Sequence, residues 1–203
     1  MISLSEIDTT CKRATKAIGF SWGVAEEIGK NMRLLEMFGI PGVNNLLEYF
    51  NIYKENNFKK TSLITEKNFS ESKPFCPIVS GLNFLDQINS LNNFKEINFK
   101  NFAYPIIFLP FVSRASEIIG KRIVINIDEK KFILNFNQTI FTNSINDFKI
   151  VICNNLSINF LDNKNTFSEK DWADLYELSK KTFVDETDNL KKNTAGAGLT
   201  DND

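Results

Sequence analysis

The sequence predicts an α+β protein: an N-terminal three-helix segment, a small and mainly antiparallel sheet in the middle, and a C-terminal helix with a flexible tail. Apolar residues recur at three- and four-residue spacing through the first helices, which indicates amphipathic faces. The middle of the chain instead holds β-branched and aromatic runs separated by polar turns, which is typical of strands. We therefore expect a single α+β domain over residues 1–193 and a Gly/Ala-rich acidic tail over residues 194–203.

The first two helices are predicted from their ends as well as from their period. Ser3 and Glu6 have the spacing of a capping box, and Ser21 can cap a second helix. Gly19 and Gly39 supply the two stops. The apolar positions of the two helices are Leu4, Ile7, Cys11, Ala14 and Ile18, and then Ala25, Ile28, Met32 and Leu35.

The chain between the third helix and the sheet is predicted to be mostly irregular. Residues 54–75 are polar and have no sustained period, so we expect a loop within the domain. A short helix is expected after Pro77. The positions that predict the third helix and this short helix are Leu46, Leu47, Phe50 and Tyr53, and Leu82, Leu85 and Ile88.

A β-hairpin is predicted where two β-branched and aromatic runs, residues 123–127 and 132–136, flank the polar residues 128–131. Short connections favour antiparallel pairing, because parallel strands need a crossover of about a dozen residues or more. A last helix is expected to begin at Ser168, with Asp171 in its first turn. Further strands are predicted at Phe141 and residues 148–153, turns at residues 143–144 and 154–155, and apolar helix positions at Trp172, Leu175, Leu178 and Phe183.

Composition restricts the partners and the compartment. Lys and Arg number 24 against 25 Asp and Glu, so the net charge of -1 argues against a nucleic acid or a membrane as partner. The three cysteines are scattered and no secretory signal is present. The longest apolar run, residues 102–112, is about half of the ~20 residues that a membrane span needs. We expect a cytoplasmic protein with reduced thiols.

Histidine is absent from the chain. This excludes Ser-His-Asp and Cys-His nucleophilic systems, His-containing zinc sites and His-ligated haem. The chain has no close cysteine pair and neither of the common phosphate-binding glycine motifs. We therefore expect no metal and no cofactor, while carboxylate, lysine and cysteine-only chemistry stay open.

The start of the second helix holds the first candidate contact residues. Trp22 is flanked by glycine, with Glu26 and Glu27 behind it, and can line a pocket for a cationic or aromatic ligand. The alternative is a helix start whose Trp packs on a neighbouring helix.

A proline-flanked segment holds the second set. Cys76 can be a reactive thiol, and the backbone at Gly81 can present N–H groups to an anion, with Asp86 one or two turns further on. The alternative is a rigid loop with a buried thiol.

The C-terminal tail holds the third set. Gly196 and Gly198 give backbone freedom, and Asp201, Asn202 and Asp203 group their oxygens at the chain end. This tail can form a lid, coordinate a hard cation or insert into a partner. The alternative is a frayed, solvated end.

Motifs at both ends of the chain resemble one family. They are Ser3-Leu4-Ser5-Glu6-Ile7, residues 16–27 and 39–42, and the C-terminal residues 182–184 and 196–203. In these motifs the chain resembles a family of marine alphaproteobacteria known only as a domain of unknown function, DUF3726. The resemblance implies one intact domain and a tail that belongs to it, and it implies no activity. The opening is also similar to the start of the malate/L-lactate dehydrogenases, whose histidine-bearing motif is missing here.

Two functional hypotheses follow. The leading one is a non-catalytic protein, either a small-ligand-binding module or an accessory subunit of a metabolic enzyme. In this hypothesis Trp22 and the helix face of Glu26 and Arg33 supply a pocket or contact surface, and the tail docks on the protein itself or on a partner. The competing hypothesis is a small-molecule enzyme that uses carboxylate and Arg chemistry without histidine. Its candidate residues are Glu26, Glu27, Asp86 and Arg114.

Overall fold

The computed structural model confirms the predicted α+β class. Helices open and close the described part of the chain, and a mixed sheet of six strands lies between them in sequence. The described residues are 2–53, 57–135, 139–144 and 146–183.

The chain divides into two compact units, residues 1–163 and residues 164–203. The first unit holds the sheet and five helices, and the second holds the last helix. The predicted tail over residues 194–203 lies outside the described residues, so the predicted domain boundary stays a prediction.

Helices and strands alternate in the middle of the chain. In chain order the elements are α1 (Leu4–Ala17), α2 (Trp22–Met37), α3 (Gly42–Ile52), β1 (Lys67–Phe69), α4 (Pro77–Leu91), β2 (Glu96–Ala103), α5 (Pro105–Ile119), β3 (Arg122–Ile127), β4 (Lys130–Leu134), β5 (Ile140–Thr142), β6 (Ile152–Leu161) and α6 (Glu169–Lys180).

The caps of the first two helices are those predicted. At α1 the N–H of Glu6 donates to the Ser3 hydroxyl at 3.2 Å, and the N–H of Ser3 donates to the Glu6 carboxylate at 2.9 Å. At α2 the N–H of Val24 donates to the Ser21 hydroxyl at 3.4 Å. The predicted inner positions of α2 are all fully buried, namely Ala25, Ile28, Met32 and Leu35.

The predicted inner face of α1 is wrong at both ends of the helix, and Leu4 at its start is exposed. Ala14 and Ile18 are exposed, whereas Thr15 is fully buried. The Thr15 hydroxyl donates to the carbonyl of Cys11 at 2.7 Å, so this polar side chain is satisfied within its own helix. A buried hydroxyl that has a partner costs little, which is why it can replace an apolar residue on the inner face.

β6 lies inside the sheet, whose strand order is β1-β2-β6-β3-β4-β5. It pairs antiparallel with both β2 and β3. The predicted hairpin is confirmed as β3–β4, with Ile125 opposite Phe132. Among the described strands, β1 and β2 form the one parallel pair, so the sheet is mainly antiparallel as predicted.

The start of β6 differs from the prediction. The strand predicted over residues 148–153 begins only at Ile152, and the turn predicted at residues 154–155 is wrong. Asn155 instead lies within β6, opposite Lys100 of β2. Asn154 and Asn155 are both exposed on the strand, where a polar side chain carries no burial cost.

The sequence did not predict α5, which is the most buried helix of the protein. The apolar residues 102–112 contain the end of β2 and the first half of α5, and Tyr104 turns the chain between them at φ 40°. α5 contacts three helices and three strands. Its first half, residues 105–112, is apolar and buried on every side and so leaves no helical period in the sequence, whereas Arg114 and Glu117 in its second half are exposed. Like every other helix in the described residues, α5 falls short of the length and apolar content that crossing a membrane requires.

α4 is longer than the short helix predicted after Pro77, and it packs on α5. Gly81 is buried at this contact. A Cβ at position 81 would lie 2.5 Å from Cγ of Phe111, closer than real Cβ contacts approach. The missing side chain of Gly81 therefore sets the distance between α4 and α5.

The predicted loop of residues 54–75 is irregular over most of its described length, yet it is anchored to the core. Phe58, Ile64 and Phe75 are all buried. Its strand β1 adds an edge to the sheet by pairing with β2.

The second unit contains α6. Ser168 caps this helix and Asp171 completes its capping box, as predicted. Phe167 stacks on Trp172 with ring centroids 5.5 Å apart. No residue of α6 is buried, and Phe183 follows the end of the helix.

Candidate functional site

A cleft of about 740 Å³ lies between the start of α1, the second half of α2 and α5. This volume is within the range of about 300–1,000 Å³ that small-molecule sites occupy. Its polar lining consists of Ser5, Lys30, Asn31, Arg33, Arg114 and Glu117.

Close packing of α1 on α2 builds one wall of the cleft. At the contact a Cβ on Gly29 would lie 2.7 Å from the backbone oxygen of Asp8 and 3.2 Å from Cβ of Lys12. The helices approach this closely because position 29 has no side chain. One turn further along α2, Arg33 reaches Asp8 across the contact, with 3.8 Å between Nη1 and Oδ2.

Glu27 brings two of the cations together. Nζ of Lys30 lies 3.2 Å from one carboxylate oxygen of Glu27, and Arg114 of α5 donates to the other. The side chains of Lys30 and Arg114 remain 54% and 44% exposed, whereas that of Glu27 is 22% exposed. The acid therefore lies behind the cations, which keep accessible N–H groups.

Asn31 is the buried polar residue of the cleft wall. It is 6% exposed, and its Nδ2 has no hydrogen-bond partner. An unpaired buried donor costs about 1–3 kcal/mol, and nearly all buried polar groups in proteins are paired. An unpaired amide donor in a cleft that is also lined by three cations is complementary to a negatively charged acceptor.

The rest of the cleft lining is apolar. Leu34 and Met37 follow Lys30 at helical spacing on α2, so they continue the same face. Met37 is 55% exposed, and Phe38 and Leu4 are also exposed apolar residues. The cleft therefore has a cationic part and an apolar part.

The structure brings together three of the residues singled out in the sequence. Arg33 and Arg114 line the cleft, and Glu27 pairs with Arg114 at its edge. The sequence named Glu27 and Arg114 as candidates of one hypothesis but gave no sign that the two side chains are in contact. Their meeting depends on how α5 packs on α2, which no local pattern shows.

Two other residues of the second helix lie elsewhere. Trp22 is exposed in the first turn of α2, with Nζ of Lys16 located 5.7 Å from its ring centroid. Glu26 is exposed as well, and neither residue lines the cleft.

Cys76 is a buried helix cap. It is 1% exposed, its sulfur accepts from the N–H of Val79 at 3.5 Å, and it lies 3.0 Å from the hydroxyl of Tyr49. Burial raises the pKa of the Cys76 thiol, which disfavours the reactive thiolate. Gly81 is buried where α4 packs on Phe111 of α5 and does not line the cleft. Asp86 is exposed on α4, also outside the cleft.

We expect Cys76 to react with a maleimide at least about a hundredfold more slowly in the native chain than in the denatured chain, because the reagent must wait for the core to open. Peptide mass spectrometry of the labelled protein measures this rate. Equal rates in the two states would show that the thiol is accessible and would restore its candidacy as a nucleophile.

The predicted tail residues lie outside the described residues, so their role stays a prediction. They are Gly196, Gly198, Asp201, Asn202 and Asp203. Within the described ranges, no three acidic, cysteine or histidine side chains are grouped so that they could hold a metal ion.

Lys30 and Asn31 are not among the residues that the sequence singled out. For Asn31 a signal was present: it lies between Ile28 and Met32 at a position where the buried stripe of α2 continues. A lone amide on an apolar face marks a polar group that needs a partner. For Lys30 no local pattern separates it from an ordinary surface cation.

The fold and the site together define an α+β protein whose helical opening forms part of a cationic cleft. The family model described as Protein of unknown function (DUF3726) matches residues 2–74, which confirms the resemblance over α1 to β1. Comparison with curated proteins and with solved structures gives no significant match.

Proposed function

We propose that the protein is a non-catalytic, small-molecule-binding protein that uses the cleft between α1, α2 and α5. In this proposal it acts in the bacterial cytoplasm as a ligand-binding module or as an accessory subunit of a metabolic enzyme. The unpaired Nδ2 of the buried Asn31, a residue that lines the cleft together with three cations, carries the proposal. A buried donor without a partner is costly, and a ligand that supplies the acceptor removes that cost.

The placement of the acids supports binding over catalysis. The competing enzyme needs two carboxylates in contrasting environments, one to take a proton and one to give it. Glu27 is held by Lys30 and Arg114, and Asp8 lies opposite Arg33. Carboxylates that pair with cations in this way position those cations and leave fewer lone pairs for a substrate proton.

Thermal unfolding of the purified full chain tests the proposal. We expect at least one of octanoate, inorganic phosphate, octylamine and glucose to raise the midpoint by about 5–10 °C when present at a hundredfold excess over its dissociation constant. Mass spectrometry is expected to recover the compound unchanged.

The variant Leu34→Trp places a large ring in the cleft and is expected to abolish this shift. Leu47→Trp makes the same change at an exposed position of α3 outside the cleft and should leave it intact. Absence of any shift, or a shift that survives in Leu34→Trp, would contradict the proposal.

A further inference from the structure

The charge of the cleft selects the sign of its ligand. Its lining contains Lys30, Arg33 and Arg114 against one carboxylate, Glu117. The pairing acids behind these cations are about three-quarters buried, so the N–H groups are the accessible polar surface. Guanidinium groups have no acceptor, and their planar N–H pairs match carboxylate or phosphate oxygens.

The buried amide adds a second, independent requirement. Nδ2 of Asn31 is a donor without a partner, so its complement is an acceptor oxygen. Rotation about χ2, which is broad for asparagine, can direct this donor to an oxygen in the cleft. A cationic ligand would leave the donor unpaired, and it would find the carboxylates of Glu27 and Asp8 already paired with the cations of the cleft.

The apolar part of the cleft requires more than a small inorganic ion. Leu34, Met37 and Phe38 line it beyond the cations, and Met37 and Phe38 are exposed. A ligand with an apolar body would remove this surface from water, at about 0.8 kcal/mol for each buried methylene.

Building on the proposed function, we propose that the ligand of the cleft is an amphipathic organic anion. Its carboxylate or phosphate binds to Arg33, Arg114 and the Asn31 amide, and its apolar body packs on Met37 and Phe38. Glu27 is then a competitor within the protein, because its carboxylate already occupies part of Arg114.

Isothermal titration of the full chain with four probes tests the anionic head group and the apolar body of the ligand separately. Octanoate and octyl phosphate carry both parts, acetate lacks the body, and octylamine reverses the charge. We expect octanoate or octyl phosphate to bind, acetate to bind at least about tenfold more weakly, and octylamine not to bind. Whichever of octanoate and octyl phosphate binds more tightly identifies the head group as a carboxylate or a phosphate.

Three variants and one control variant test the residues that the proposal assigns to the ligand. Arg33→Met combined with Arg114→Met should weaken the anion at least about tenfold, whereas Arg13→Met, an exposed cation of α1 outside the cleft, should not. Asn31→Leu should weaken binding of the anion. The midpoint of thermal unfolding without ligand should stay equal or rise, because an unpaired buried donor has been removed. Glu27→Gln should tighten binding of the anion by up to about fivefold, since it removes the carboxylate that pairs with Arg114.

The two proposals fail in different ways. If octylamine binds as tightly as octanoate and this binding is lost in Leu34→Trp, the cleft binds a ligand but the ligand need not be an anion. That result would overturn the amphipathic anion and keep the binding cleft. Acetate that binds as tightly as octanoate would overturn the role of the apolar part. If none of the four probes binds while glucose or inorganic phosphate still raises the unfolding midpoint, the amphipathic anion is overturned and the binding cleft is kept. If no compound of either set binds, both proposals are overturned.

Discussion

Replacing Gly81 with alanine is expected to lower the free energy of unfolding by about 3 kcal/mol, because the new Cβ overlaps the buried ring of Phe111. Alanine is the better helix former by about 1 kcal/mol, so the steric cost must exceed that gain. Both residues are buried between α4 and α5, where neither helix can move without disturbing the sheet. Urea denaturation of the two proteins measures the difference.

A double-mutant cycle separates this clash from a general effect of glycine replacement. In a Phe111→Ala background the Cβ has room, so Gly81→Ala should cost less than it does alone. Gly23→Ala is the matched control: it is also in a helix, but a Cβ there meets nothing within 4 Å, so it should be neutral or slightly stabilising. Equal effects at positions 81 and 23 would show that packing against Phe111 does not set the helix distance.

The protein is expected to lose stability steeply between pH 9 and pH 12. Burial raises the pKa of Cys11 to about 11 and that of Cys153 to about 12, from a usual value of 9.0. Below about pH 8 both thiols are neutral in the folded and unfolded chains, so they add no pH dependence. Above it the unfolded chain loses its protons first, which costs roughly 5 kcal/mol at pH 11 for the two thiols together. Unfolding by urea as a function of pH measures this loss.

The combined variant Cys11→Ala and Cys153→Ala is the control for the alkaline loss. It should be less stable than the parent near pH 8, because two buried side chains have been shortened. Its unfolding free energy should then fall less steeply above pH 9. An unchanged slope would mean that groups other than these thiols, such as the buried Tyr49, cause the loss.

The elements that the sequence placed correctly are those with signals inside a few residues. Ser3, Ser21 and Ser168 each cap the helix predicted after them, since a hydroxyl and a free N–H meet within one turn. The β3–β4 hairpin followed from two apolar runs and a short polar connection.

The elements that it missed are those whose surroundings come from distant parts of the chain. The first half of α5 shows no helical period because residues 105–112 are buried on every side, so this apolar run could not be distinguished from a strand. β6 carries Asn154 and Asn155 because both positions of this part of the strand are exposed, and the same residues in isolation indicate a turn.

The sequence by itself determined the α+β class, the capped helices and the absence of histidine chemistry, because composition and short-range hydrogen bonds are local properties. Only the tertiary structure decided where the candidate site lies. Arg114 is 87 residues from Glu27 along the chain, and the two meet because α5 packs on α2. Likewise, the Asn31 amide is unpaired only because packing has removed it from water, and burial of that kind is a property of the whole fold.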